Sequence, residues 1–168
     1  YERETGKNSI SVVDGFKISS NYVFRRLVKD NYGEHPERFI DRLHAYNFGD
    51  AYEFDLKEYG FASPMVPDPS NPRWTIYDLA NVSIGYSVSV TPLQVATFYN
   101  AIANDGKMMK PYVVESIEDN GKVLQKFEPV ILNGAICSKA TADTLTRALK
   151  MVTLEGTAKQ LKNTKCIV

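Results

Sequence analysis

Residues 89–107 read Ser89-Val90-Thr91-Pro92-Leu93-Gln94-Val95-Ala96-Thr97-Phe98-Tyr99-Asn100-Ala101-Ile102-Ala103-Asn104-Asp105-Gly106-Lys107. Thr91 is a good N-cap, Pro92 fits the first turn where no N–H is needed, and Gln94 can reach back to the Thr91 N–H. A helix therefore starts here. Its body, Leu93 to Asn104, carries Val95, Ala96, Phe98, Tyr99, Ile102 and Ala103 on more than one face, the pattern of a centrally buried helix. Asp105-Gly106 ends it.

Upstream, Tyr22 to Lys29 sets Val23 against Leu27 and Phe24 against Val28 at i, i+4 spacing, with Arg25, Arg26 and Lys29 elsewhere. This predicts an amphipathic helix that starts beside Ser19-Ser20-Asn21 and closes before Gly33. A shorter helix is expected from Ser9 toward Ser19. Pro36 opens another, running through Phe39, Leu43 and Tyr46 to a stop at Gly49, and it is expected to pack on the helix before it. Asp50 to Pro72 holds Gly60, Pro64, Pro67, Pro69 and Pro72, so no long regular element persists there.

Downstream, Tyr112 to Ile117 and Val123 to Phe127 are β-rich, and Asp119-Asn120-Gly121 between them supplies the positive φ angles of a tight hairpin. Ser138 can cap a last helix from Lys139 to about Leu154, with Ala142, Leu145, Leu149 and Val152 in one stripe before Gly156. Cys166-Ile167-Val168 reads as a strand cut short.

Composition narrows the function. A chain of 168 residues with 43% hydrophobic and 24% charged content has the balance of one globular domain. Twenty basic and twenty acidic residues cancel, which gives no electrostatic reason to expect nucleic acid or an anionic membrane surface as partner. A peptide or small molecule fits better. The apolar runs fall far short of the ~20 residues of a spanning helix. Cys137 and Cys166 form no C-x-x-C, and His35 and His44 form no H-x-x-x-H, so neither a metal nor another cofactor is expected.

One short motif is open to two readings. In an extended or turn segment residues i and i+2 project to the same side, so the Ser19 hydroxyl and the Asn21 carboxamide can share a cleft while Ser20 faces away. The plainer alternative is that one of Ser19, Ser20 and Asn21 caps the helix at Tyr22. Both can hold at once.

Several stretches fall in a familiar order: Ser19-Ser20-Asn21, then Tyr32-Gly33 with Pro36-Glu37-Arg38-Phe39, Asn47-Phe48-Gly49, Ser83-Ile84-Gly85-Tyr86, the segment quoted first, Lys110-Pro111, and Glu155-Gly156-Thr157-Ala158-Lys159. Together they resemble the transpeptidase domain of class B penicillin-binding proteins, most of all the division-type enzymes. Ala158 stands where that family more commonly has glycine. The resemblance implies a helix-dominated α+β piece: the helical lobe of the penicillin-binding transpeptidase (serine β-lactamase-like) fold plus a β-hairpin, with most of the central sheet missing.

That family works with S-x-x-K, S-x-N and K-T-G. No serine here has lysine three positions later, and no lysine precedes Thr-Gly or Ser-Gly. Residues 1–168 are therefore expected to be a single truncated piece of the domain, beginning at Tyr1 without an initiator Met, and inert alone. The resemblance makes Ser19 and Asn21 the catalytic residues. Ser19 would relay a proton, and Asn21 would bind the substrate amide and steady the nucleophile's lysine. Tyr86 is a further candidate for substrate binding, and Glu155 to Lys159 have at most a secondary role at the cleft rim. The implied parent is a serine-type D,D-transpeptidase that cross-links peptidoglycan stem peptides and is acylated by β-lactams. It would work with division or cell-wall proteins at the extracytoplasmic face of the bacterial inner membrane, anchored by a segment absent from this chain. The alternatives are a β-lactamase or D,D-carboxypeptidase relative, or a non-catalytic interaction or sensor domain of the same fold.

Overall fold

Short polar side chains decide where the helices begin, because each satisfies an N–H that the first turn leaves without a partner. The computed structural model describes residues 9–51 and 63–162. Ser11 accepts from the Asp14 N–H and opens α1 (Val12–Lys17), and Ser20 accepts from the Val23 N–H and opens α2 (Asn21–Tyr32). Helix α3 spans Pro36–Ala45. The Asp78 carboxylate accepts from both the N–H and the hydroxyl of Thr75 and so opens α4 (Ile76–Val82). Thr91 and Gln94 form the reciprocal cap expected for α5 (Pro92–Ala103), and Ser138 accepts from the Thr141 N–H at the head of α6 (Lys139–Leu154).

The described residues fall into two compact units. The first takes residues 9–41, 67–88 and 143–162. Val23, Ile40, Leu79 and Val82 are its buried hydrophobic side chains. Helix α2 packs against α4 and α1, and Gly15 is required where α1 crosses α2, since a Cβ there would lie 2.6 Å from Val23 Cγ2. Phe16 and Phe24 add an edge-on ring contact between α1 and α2.

The second unit takes residues 42–51, 63–66 and 89–142. Buried Gln94 holds it together: its carboxamide accepts from the Thr91 N–H and donates to the carbonyls of Asn47 (2.9 Å) and Asp50 (3.0 Å). Phe98 of α5 sits 5.3 Å, ring to ring, from both Tyr46 and Phe48. Strands β1 (Met108–Met109) and β4 (Ile131–Asn133) form one antiparallel pair, with Met108 fully buried beside α5. Strands β2 (Ser116–Asp119) and β3 (Lys122–Lys126) form the other, turning through Asn120 (φ 50°) and Gly121 (φ 79°) as the Asn-Gly pair predicts.

The helix-dominated α+β class is as expected, and several details differ. Helix α3 ends at Ala45 rather than near Gly49, because Asn47 (φ 59°) supplies the left-handed residue that breaks it. Helix α2 meets α3 through the Tyr32–Phe39 ring pair, as expected, and also packs on α4. Helix α5 is buried along one face, not all round. Val95 and Tyr99 are exposed, while polar Gln94 and Thr97 are buried, the Thr97 hydroxyl donating to the Leu93 carbonyl. Helix α4 and the β1–β4 pair were not anticipated. Among the described residues no helix is long and apolar enough to cross a membrane, and Val12, Val13, Ile18, Val123 and Leu124 are exposed. The short strand expected at Cys166 to Val168 lies outside the described residues.

Replacing Gln94 with Leu would strip three backbone groups of their partner at a buried position. We expect a loss of roughly 2 to 4 kcal/mol in urea unfolding, and a change under about 1 kcal/mol would contradict this account of Gln94.

Candidate functional site

Ser19 lies where α1 turns into α2. The Ser19 N–H donates to the Phe16 carbonyl (3.0 Å) and the Ser20 N–H to the Gly15 carbonyl (2.9 Å), the paired bonds of a Schellman helix end. The motif needs a left-handed residue at its turn, usually glycine, and here Ser19 fills it at φ 55°. The next residue, Ser20, is extended and spends its hydroxyl capping α2. Asn21 is the first residue of that helix. Ser19 and Asn21 are exposed, and among the described residues no hydrogen bond engages the Asn21 carboxamide.

The segment leaving α6 closes on this junction. The Thr157 N–H donates to the Lys17 carbonyl (3.2 Å), and the Ser19 and Thr157 hydroxyls are hydrogen-bonded at 3.0 Å. Gly156 permits the approach: a Cβ there would lie 2.2 Å from the Lys17 carbonyl oxygen and 2.8 Å from Val152 Cα. The Lys17 ammonium bridges Glu155 (3.2 Å) and Asp14 (3.3 Å). Its hydrogen bonds to Glu155 and then Asp14 raise its pKa above the ordinary 10.5.

Tyr86 is exposed, in a turn after α4 where Gly85 and Ser87 have positive φ, and among the described residues no hydrogen bond or ring contact joins it to Ser19 or Asn21. A cavity of about 370 Å³ between α2 and α4 is lined by Tyr22, Arg25, Arg26, Lys29, Ile76 and Tyr77, and touches neither Ser19 nor Asn21. Glu155 to Lys159 are expected at most at the rim, and Thr157 among them meets Ser19 directly. Nothing local marks it as a partner of Ser19, from which it is separated by 138 positions.

Solved structures define the class of protein. The D,D-transpeptidase domain of a peptidoglycan glycosyltransferase from Eggerthella lenta superposes with a TM-score of 0.74 at 24% identity, over 89% of this chain and 38% of that one. Penicillin-binding protein 3 from Mycobacterium tuberculosis, solved with aztreonam, gives 0.72 at 28% identity, over 85% of this chain and 30% of that one. The fold is that of penicillin-binding transpeptidases.

The sequence agrees. It matches the family model of the penicillin binding protein transpeptidase domain over residues 1–166. Penicillin-binding protein PbpB of Mycolicibacterium smegmatis is 30% identical over 118 residues, 70% of this chain and 17% of the relative. Penicillin-binding protein H of Bacillus subtilis is 34% identical over 101 residues, 56% of this chain and 14% of the relative. The chain belongs to the penicillin-binding protein transpeptidase family, in its class B branch. It spans about a sixth of the length of PbpB.

The raised pKa of Lys17 makes its bridge pH-dependent. A cation whose folded pKa exceeds its unfolded value stabilises fully below the unfolded pKa and loses that contribution as pH rises through the folded one. The stability gap between wild type and Lys17→Met should therefore be level from neutral pH to 10.5 and close above it. Urea unfolding across that range checks this, and a gap that widens with alkalinity would reverse the assignment.

Proposed function

We propose that residues 1–168 are one part of the domain of a peptidoglycan D,D-transpeptidase, and that Ser19 and Asn21 are its S-x-N motif. One observation carries the reading. At the α1–α2 junction Ser20 alone is consumed as a cap, while the Ser19 hydroxyl and the Asn21 carboxamide stand exposed on either side of it.

A serine hydroxyl is a weak nucleophile near neutral pH, and acyl transfer needs a base to take its proton and an acid to return it. In the family those roles belong to S-x-x-K and S-x-N, with K-T-G completing the cleft. Ser19 would receive a proton at its oxygen as it gives up its own toward the leaving amine, staying neutral throughout. Asn21 has two donors and an acceptor, enough to bind a peptide amide and orient the lysine of S-x-x-K together. The left-handed Ser19 fits a site where local strain is retained for the direction it gives a side chain. Tyr86 remains a substrate-binding candidate, because an exposed ring after α4 offers a surface for a stem peptide.

The substrate class is a D-Ala-D-Ala stem peptide, with β-lactams as acylating mimics. The relatives' names support this: several are penicillin-binding proteins, and one neighbour was solved with a β-lactam. Such an enzyme acts outside the cytoplasmic membrane, alongside the proteins of cell-wall synthesis and division.

Labelling with a fluorescent penicillin on a denaturing gel tests the proposal. The 168-residue chain, which lacks S-x-x-K and K-T-G, should give no stable band. A polypeptide that joins it to both motifs should label, with Ser19→Ala slowing acylation by about 10²-fold or more and Asn21→Ala also slowing it. A band on the chain alone, or unchanged acylation in Ser19→Ala, would refute it.

A further inference from the structure

We propose that Thr157 is a positioning residue for Ser19, its hydroxyl donating to the Ser19 oxygen and so setting the direction of the Ser19 proton. This rests on the proton-relay reading of Ser19 given above.

A serine hydroxyl has one proton and two lone pairs, and it rotates freely unless a partner fixes it. A relay has to present a lone pair to the incoming proton and its own proton to the acceptor. Thr157, 3.0 Å away, can occupy the remaining lone pair. With Thr157 as donor, Ser19 keeps one lone pair to receive and one proton to deliver. One proton enters and one leaves, and Thr157 keeps its own.

The 3.0 Å spacing is imposed from the backbone on both sides. The Schellman turn fixes Ser19, and the Thr157 N–H bond to the Lys17 carbonyl fixes Thr157. Gly156 admits the approach, and the bridge from Lys17 to Glu155 holds the same two segments beside it. These contacts dock the α6 exit without help from the Thr157 hydroxyl. A hydrogen bond between two exposed hydroxyls adds little stability, since water replaces either partner. What the bond can supply is direction, which matters when a proton has to move.

The test uses the complete transpeptidase, carrying S-x-x-K and K-T-G together with these residues, and measures the second-order rate of acylation by penicillin alongside the melting temperature. Thr157→Val should slow acylation roughly 3- to 10-fold, the effect of one neutral hydrogen bond, with little change in melting temperature. Thr157→Ser, which keeps the hydroxyl, should restore the rate. Thr157→Ala removes the hydroxyl without the second methyl and replaces the valine variant if that one fails to fold. If Ser19→Ala is slow while Thr157→Val and Thr157→Ala acylate like wild type, positioning is wrong and the relay reading stands. If Ser19→Ala acylates normally, the relay reading falls and takes this inference with it. Rates in Thr157→Val and Thr157→Ser that drop together, in step with melting temperature, would reduce Thr157 to a structural role.

Discussion

The close approach of Gly156 to the Lys17 carbonyl is the constraint on which the candidate site depends. No side chain longer than hydrogen fits between the α6 exit and the end of α1. Because the gap is that narrow, the Thr157 N–H can satisfy a carbonyl that α1 leaves open, and Glu155 can reach the Lys17 ammonium. The two hydroxyls then meet as a by-product of backbone packing. Family membership is a matter of fold and sequence; the chemistry proposed for the site begins at this contact.

A second consequence concerns how the junction divides its polar groups. Three consecutive residues, Ser19, Ser20 and Asn21, have different assignments although two of them are chemically alike. Ser20 can cap α2 because its backbone is extended, and it is extended because Ser19 has already turned the chain through the left-handed region. Of the extended or turn backbone expected around Ser19 and Asn21, the junction has the turn, with Ser19 left-handed and Asn21 opening α2. That turn leaves both side chains exposed and Ser20 occupied.

The sequence was most readable where a local rule had no competitor. The caps at Thr91 and Ser138, the Asn-Gly hairpin and the bounds of α6 all follow from neighbours within four positions. Helix α4 carried an equally local signal, Thr75 with Asp78 three residues on, but its seven residues are too few to show a repeating apolar stripe. Asn47 stopped α3 before Gly49 could, a choice between two left-handed formers that spacing does not decide. Burial was harder to see. Gln94 and Thr97 are core residues because distant carbonyls and their own helix satisfy them, while Val95 and Tyr99 are left outside. The Ser19–Thr157 contact had no signature at all, being a product of tertiary structure.

That contact joins positions near opposite ends of the described chain, and the distance has a bearing on how the protein is made. During synthesis Ser19 emerges before Thr157, and its helix junction can form at once from bonds among its neighbours. Its hydroxyl partner emerges 138 residues later. Closing so long a loop carries an entropic penalty that grows only slowly with length, but it cannot begin until α6 has left the ribosome. The left-handed serine thus waits, solvated and without its threonine, while the residues between the two positions are made.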